Sequence, residues 1–363
     1  MIIGIDISVL NDPQKSGVAV YTYQLIKALL KINRKDKFIL FGLSPFAAFK
    51  NLDNLDFKKY PNVEMKIYKM PSRLFRLIFL IWQKINWPPI ESFIGRVDVF
   101  HSFNWYLPPQ KKGKVVATVF DMTPFLYPQF HLQKTIQLDT LRLSRIKKAA
   151  DLVITISENS KKDFLKFAPE KKVEVIYPGI SAQFKEKVVR SKEGYILSVG
   201  TLEPRKNIKR LIDAYLQTNL KEKLVLVGNL GWKNDELLTI IKKNADRIIT
   251  TGYVPDEDLP YIYGQAICFI YPSLYEGFGI PVLEAMSCGV PVITSKISSL
   301  PEAGGDAVYY IDPLNVTDIK NALLKVVKSK KIREDMTRKG FKQVKKFSWV
   351  NSAKKLNSLY HSF

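Results

Sequence analysis

The chain of 363 residues is poor in cysteine and histidine, with two of the first, Cys268 and Cys288, and three of the second. Two cysteines cannot build the disulfide framework of a small secreted domain; both lie on apolar stretches, as a reduced buried pair in a cytosolic protein would. His, Cys, Asp and Glu nowhere recur at metal-ligand spacing, so no metal is expected. Long apolar runs are missing too: the most apolar stretch, 74–82, is far short of the roughly 20 residues that span a bilayer. The opening MIIGIDISVL carries Asp6 inside its apolar run and no basic leader, so it reads as a strand and not as a secretion signal. Internal repeats and low-complexity tracts are absent, which excludes a solenoid or a disordered linker protein. Acid is the scarce charge, with 34 Asp and Glu against 56 Lys and Arg and a net charge of +22. Such an excess draws polyanions: phosphorylated small molecules, anionic lipid surfaces or nucleic acid. The basic residues are spread through both halves, without an aromatic-basic recognition motif, which weighs against nucleic acid.

What is present is enough apolar sequence, 46%, for a globular protein, and enough length for two cores. Strand-like apolar runs alternate with helical periodicity. A strand at 2–7 is followed by a turn at 11–16 and by Gly17, which opens a helical pattern. Further strands fall at 38–42 and 63–68. The strand at 97–101 ends in His101, followed by Ser102, Phe103, Asn104 and Trp105; the next, at 115–120, delivers Asp121. Ligands of open parallel sheets gather at such strand ends. His101 there reads either as a catalytic group or as a structural one. A strand at 152–156, with Ser157 as a helix cap, and one at 173–176 complete the series. The charged stretch 184–193 lacks apolar periodicity and reads as a linker. The alternation restarts with strand 195–199, helix 208–216, strand 224–227 and helix 237–241. Two such series predict an α/β protein of two doubly wound, Rossmann-like domains facing a central cleft, 1–183 and 194–345, with a helical tail at 346–363. Basic and apolar residues at helical spacing over 73–87 fit a helix lying on a membrane surface or one packed against its own sheet.

One stretch, YPSLYEGFGIPVLEAMSCGVPVIT at 271–294, places two carboxylates, a glycine-flanked turn and a helix start between two apolar strands. Pro281 suits the first turn of a helix that runs through 282–286 and stops near Gly289. The free N–H groups of that turn make an anion seat, and Gly277 and Gly279 allow close approach. Glu276 and Glu284 can flank the anion and accept hydrogen bonds from sugar hydroxyls. A second anion signal is Arg205-Lys206 in GTLEPRKN, at a strand-to-helix turn. Cations are favoured at the other end of helices, so this placement asks for an anion.

Glu276 and Glu284, seven residues apart in EGFGIPVLEAMSCGVPVI, resemble the E-x7-E signature of family 4 retaining glycosyltransferases, which have the two-domain GT-B fold. VGTLEPRKNIKRLIDAY (199–215), LVGNLGW (226–232), TGYVPDEDLPYIYGQA (251–266) and SSLPEAGGDAVYYIDP (298–313) extend the resemblance. DVFHSFNWYLPP (98–109), VFDMTPFLYP (119–128) and ISENSKKD (156–163) carry it into the first half, so it covers nearly the whole chain. Within the family these segments are most similar to bacterial mannosyltransferases of polysaccharide assembly.

The resemblance implies a retaining hexosyltransferase that uses no metal or other cofactor. It would move mannose from GDP-mannose to a saccharide or lipid-linked saccharide, in the cytoplasm or peripherally on an anionic inner membrane face. By the same resemblance Arg205 and Lys206 hold the departing diphosphate at the Gly200 turn, and Gly17 lies beside it. The backbone of Gly277, Phe278, Gly279 and Ile280 holds phosphate and sugar, Glu276 orients sugar hydroxyls and Glu284 holds the ribose. Val254 offers its backbone to the base, His101 and Asp121 line the catalytic crevice, and the tail helix crosses back to the first domain. Two departures stand out: Phe120 where many relatives carry His, and Thr201 where some carry Arg. Competing expectations are a same-fold nucleotide-sugar epimerase and a basic nucleic-acid-binding protein.

Overall fold

The computed structural model describes residues 1–11, 16–45, 52, 55–70, 81–82, 85–103, 107–184, 194–231 and 235–363. The chain forms two compact units, Met1–Gly179 together with Trp349–Phe363, and Ile180–Ser348.

In the first unit the strands are β1 (Ile2–Asp6), β2 (Lys37–Pro45), β3 (Val63–Met70), β4 (Val99–Ser102), β5 (Lys114–Val119), β6 (Leu152–Thr155) and β7 (Val173–Val175). They pair in the order β3-β2-β1-β4-β5-β6-β7, all parallel. A parallel sheet covered on both faces needs strands apolar along their whole length, and β4 and β6 are buried throughout. The helix Gly17–Ile32 follows β1, capped by the Ser16 hydroxyl on the Ala19 N–H, and buries Tyr21, Leu25, Ile26 and Leu29. The last helix, Trp349–Tyr360, packs on it, with the Trp349 ring edge-on to Tyr21 at 5.5 Å.

The second unit contains β8 (Tyr195–Val199), β9 (Leu224–Val227), β10 (Ile248–Gly252), β11 (Ala266–Tyr271), β12 (Val292–Ser295) and β13 (Tyr309–Ile311). Their order is β10-β9-β8-β11-β12-β13, again parallel. Helices Ile208–Leu216, Val316–Lys328 and Lys330–Val344 cover it, and Ile196, Leu211, Leu226, Ile270 and Leu323 lie in its core. The strand order reverses between β8 and β11. The crevice at the carboxyl ends of those two strands is where doubly wound sheets take ligands.

The boundary between units falls at 179/180, earlier than the expected 183. Residues 180–184 go with the second unit because Phe184 packs edge-on against Tyr263 (6.0 Å), and Gln183 donates to the Asp256 carbonyl (3.0 Å). The return to the first unit comes at 348/349 and not at 345/346. Of the expected linker 184–193 all but Phe184 lies outside the described residues, as do Asn104, Trp105 and most of the 73–87 helix. Of the last, Trp82 joins the first unit's core while Ile85 and Trp87 are exposed. No helix among the described residues is long and apolar enough to cross a membrane.

Candidate active site

After β8 the chain turns through Gly200, and the single turn Pro204–Lys206 leads into the helix Ile208–Leu216. Asn207 joins the two in the left-handed region (φ 60°), which asparagine tolerates. Its side-chain amide donates to the carbonyls of Pro272 (3.1 Å) and Pro313 (2.6 Å), tying the turn to the ends of β11 and β13. The Leu274 N–H donates to the Arg205 carbonyl (2.8 Å), so the loops after β8 and β11 are also joined through backbone. Gly228, at the end of β9 (φ 137°), has no room for a side chain: a Cβ would stand 2.2 Å from the Gly200 carbonyl oxygen.

These turns bring four charges together. Arg205 donates from Nη1 to Glu276 Oε2 (2.9 Å) and to the Tyr275 carbonyl (2.9 Å), and from Nη2 to Glu203 Oε1 (2.6 Å). Lys206 Nζ donates to Glu276 Oε1 (2.6 Å) and to the Tyr271 hydroxyl (2.5 Å). Both acids are nearly buried, and the two cations are somewhat more open. Burial pulls the Lys206 ammonium below its ordinary value, with the Glu276 charge resisting. Burial alone would raise the Glu276 carboxyl, but the charges of Lys206 and Arg205 outweigh it and hold the group down at about 2. Glu276 is fixed through its backbone as well. Its N–H donates to the Ser298 hydroxyl (3.1 Å) and its carbonyl accepts from Ser299 (2.8 Å). Ser298 itself sits at φ 51°, an uncommon setting for a non-glycine residue.

Gly277 and Phe278 follow, Phe278 buried edge-on against Phe347 at 5.3 Å. Gly279 caps the helix Ile280–Ser287 at φ 101°, where a Cβ would come within 2.7 Å of Leu300. Pro281 occupies the first turn, and the helix ends at Cys288 with Gly289 beyond. One turn into it Glu284, half-buried, accepts from the Tyr263 hydroxyl (3.0 Å) and takes no part in the Arg205–Lys206–Glu276 bonding. Burial raises its carboxyl to about 7, the Tyr263 bond resisting. Val254 lies half-buried two residues past the edge strand β10.

The remaining expected residues belong to the first unit. Gly17 is exposed at the start of its helix, with open space where a side chain would stand. Asp121 Oδ1 accepts from the Thr123 N–H (2.9 Å) and hydroxyl, closing the turn after β5. His101 does not fit the catalytic reading. It is fully buried, its Nδ1 bonded to the Tyr360 hydroxyl (2.5 Å), its Nε2 to the Thr118 hydroxyl (2.8 Å), and its ring stacked on Phe103. Burial drops its pKa to about 3, so the ring is neutral. Both nitrogens serve the join between β4, β5 and the last helix, which is the structural alternative raised by the sequence. Glu203, Tyr271 and Tyr263 were not singled out beforehand. Glu203 carried a signal, an acid two residues from Arg205 across a proline, whereas the tyrosines gave none.

Two family models together cover most of the chain: Glycosyltransferase Family 4 matches residues 15–184 and Glycosyl transferases group 1 matches 180–343. The chain is 35% identical over 366 residues to O-antigen chain mannosyltransferase B of Escherichia coli, covering 93% of each protein. Its fold is similar to that of sucrose-phosphate synthase from Thermosynechococcus elongatus (TM-score 0.77, 20% identity, covering 100% of this chain and 98% of that one). It is also similar to Anabaena HepE, solved in complex with UDP and glucose (TM-score 0.71, 17% identity, 100% and 99% covered). Two Rossmann-like parallel-sheet units of this kind define a glycosyltransferase of the GT-B fold. The chain belongs to the family 4 glycosyltransferases.

Proposed function

We propose that the enzyme transfers mannose from GDP-mannose to a saccharide or lipid-linked saccharide acceptor in bacterial polysaccharide or lipopolysaccharide synthesis, with retention of anomeric configuration. The observation that carries this reading is the pairing of Arg205 and Lys206 at the switch point of the second sheet, beside the glycine-capped start of the helix Ile280–Ser287. Departure of a nucleoside diphosphate develops negative charge, which preorganised cations and helix-end N–H groups stabilise. In this reading Arg205 and Lys206 hold the diphosphate at the Gly200 turn, and the backbone of Gly277, Phe278, Gly279 and Ile280 holds phosphate and sugar. Glu276 turns to the sugar hydroxyls, Glu284 accepts from the ribose, and Val254 meets the base. Gly17 is proposed as a further donor contact and Asp121 as a further catalytic group, whereas His101 is left to structure. The identity to an O-antigen mannosyltransferase supports the choice of sugar.

The test is transfer from a panel of GDP-, UDP-, dTDP- and ADP-sugars, with the product anomer read by NMR. Transfer from GDP-mannose with the donor's α configuration kept is expected. An inverted product sinks the retaining assignment, and preference for another nucleotide sinks the donor. Release of an epimerised nucleotide sugar without acceptor would favour the epimerase instead.

Peripheral contact with an anionic bilayer is supported by exposed Ile85, Trp87 and Leu141 beside a groove of about 780 Å³ lined by Lys111, Arg145 and Lys148. Co-sedimentation with phosphatidylglycerol vesicles, reversed by salt, is expected; indifference to lipid charge would contradict it.

A further inference from the structure

The Arg205 and Lys206 side chains are turned onto carboxylates. Glu276 bridges them, taking Arg205 Nη1 on one oxygen (2.9 Å) and Lys206 Nζ on the other (2.6 Å), while Glu203 takes Arg205 Nη2 (2.6 Å). Two formal positive charges and two formal negative charges sum to zero, so the cluster offers an arriving anion no net attraction. A phosphate that takes the Arg205 and Lys206 N–H groups now facing Glu276 displaces that carboxylate, because one N–H does not serve two anions at full strength.

The two carboxylates are not equivalent. Glu276 stands in the loop after β11, next to Gly277, and touches both cations from across the switch point. Glu203 immediately precedes the turn Pro204–Lys206 and accepts only from Arg205 among these two cations; its carbonyl also receives the Lys206 N–H (2.9 Å), so it moves with the turn. We propose that Glu276 is an internal stand-in for the donor's phosphate and Glu203 a positioning residue: a nucleoside diphosphate displaces Glu276 from Arg205 and Lys206 while Glu203 keeps hold of Arg205. The proposal rests on the reading that these cations receive the donor's diphosphate. Its consequence is that the Glu276 carboxylate is released for sugar hydroxyls only as phosphate seats, so recognition of the sugar is coupled to that of the phosphate.

The test uses nucleotides without sugar, GDP and UDP, titrated calorimetrically into the full-length protein. Glu276→Gln and Glu203→Ala each remove one negative charge from the same cluster, so a general electrostatic effect would shift affinity in the same direction for both. Exchange predicts opposite directions. Glu276→Gln should bind the nucleotide about tenfold more tightly than the wild type, and Glu203→Ala about tenfold more weakly. Glu203→Gln keeps an acceptor for Arg205 and should recover most of the loss, which a role through charge alone would not produce. Where Glu276→Gln fails to melt cooperatively, Glu276→Asp, too short to bridge both cations, should also tighten binding. Shifts of one sign in both variants, or unchanged affinity on loss of the Glu276 bridge, overturn the exchange while leaving the donor reading intact. No nucleotide binding by the wild type overturns both.

Discussion

Glu276 and Glu284 are close in sequence and opposite in electrostatic state. Burial pushes both carboxyls up, but Lys206 and Arg205 bring Glu276 down to about 2, while Glu284, with a tyrosine hydroxyl for a partner, reaches about 7. For Glu284 the folded protein therefore holds the proton more tightly than the unfolded chain, whose carboxyl titrates near 4.5. Its contribution to stability is present in full below pH 4.5 and is lost as the pH rises through 7. Glu284→Gln, neutral at every pH, should melt with the wild type at low pH and roughly 2–4 °C above it by pH 8.5. Melting curves across that range check this, and parallel curves would contradict it. At this scale the sequence revealed residue types but not their partners. Arg205, Lys206 and Glu276 were legible because each sits in a short turn whose glycines, proline and helix start are local signals. His101 stayed open between a catalytic and a structural role for the opposite reason. Its partner Tyr360 is 259 positions away, and nothing near a strand end says that a terminal helix will cover it.

In each unit turns at the ends of parallel strands carry candidate residues, and the glycines of those turns carry different burdens. Gly228 is held at φ 137° against the Gly200 backbone, so Gly228→Ala must force two loops apart; a loss of several kcal/mol or of folded protein is expected. Gly17 lies in open space at the start of a helix, so Gly17→Ala should leave the melting temperature unchanged or raise it slightly. If Gly17 is bare because a phosphate passes there, its transfer rate should nonetheless fall at least about tenfold. Melting and turnover measured on the two variants separate these roles, and full activity in Gly17→Ala would remove it from the site. Elements were largely legible. β8, β9 and the helix Ile208–Leu216 fall where apolar runs and periodicity put them, because fully buried parallel strands leave uninterrupted apolar sequence. Ends were less so: the helix expected at 237–241 runs over Asp235–Lys243, and the strand expected at 38–42 over Lys37–Pro45.

For the molecule as a whole, two series of alternating elements were enough to foresee two Rossmann-like units, and the tail helix joins the first of them. The unit boundary was displaced by a few residues because it is set by the packing of Phe184 on Tyr263 and not by any break in composition. The net charge of +22 said that an anion was wanted without saying where. The proposed place is the crevice at the carboxyl ends of β8 and β11, and Arg205 and Lys206 stand in the turn that follows β8. The account therefore depends on those cations meeting the donor's diphosphate. Titration of GDP-mannose into the wild type and Lys206→Met, each checked by thermal melting for a folded state, tests this directly. Saturable binding by the wild type, weakened at least about a hundredfold in the variant, is the predicted result. Equal affinity in a folded Lys206→Met protein would contradict the account.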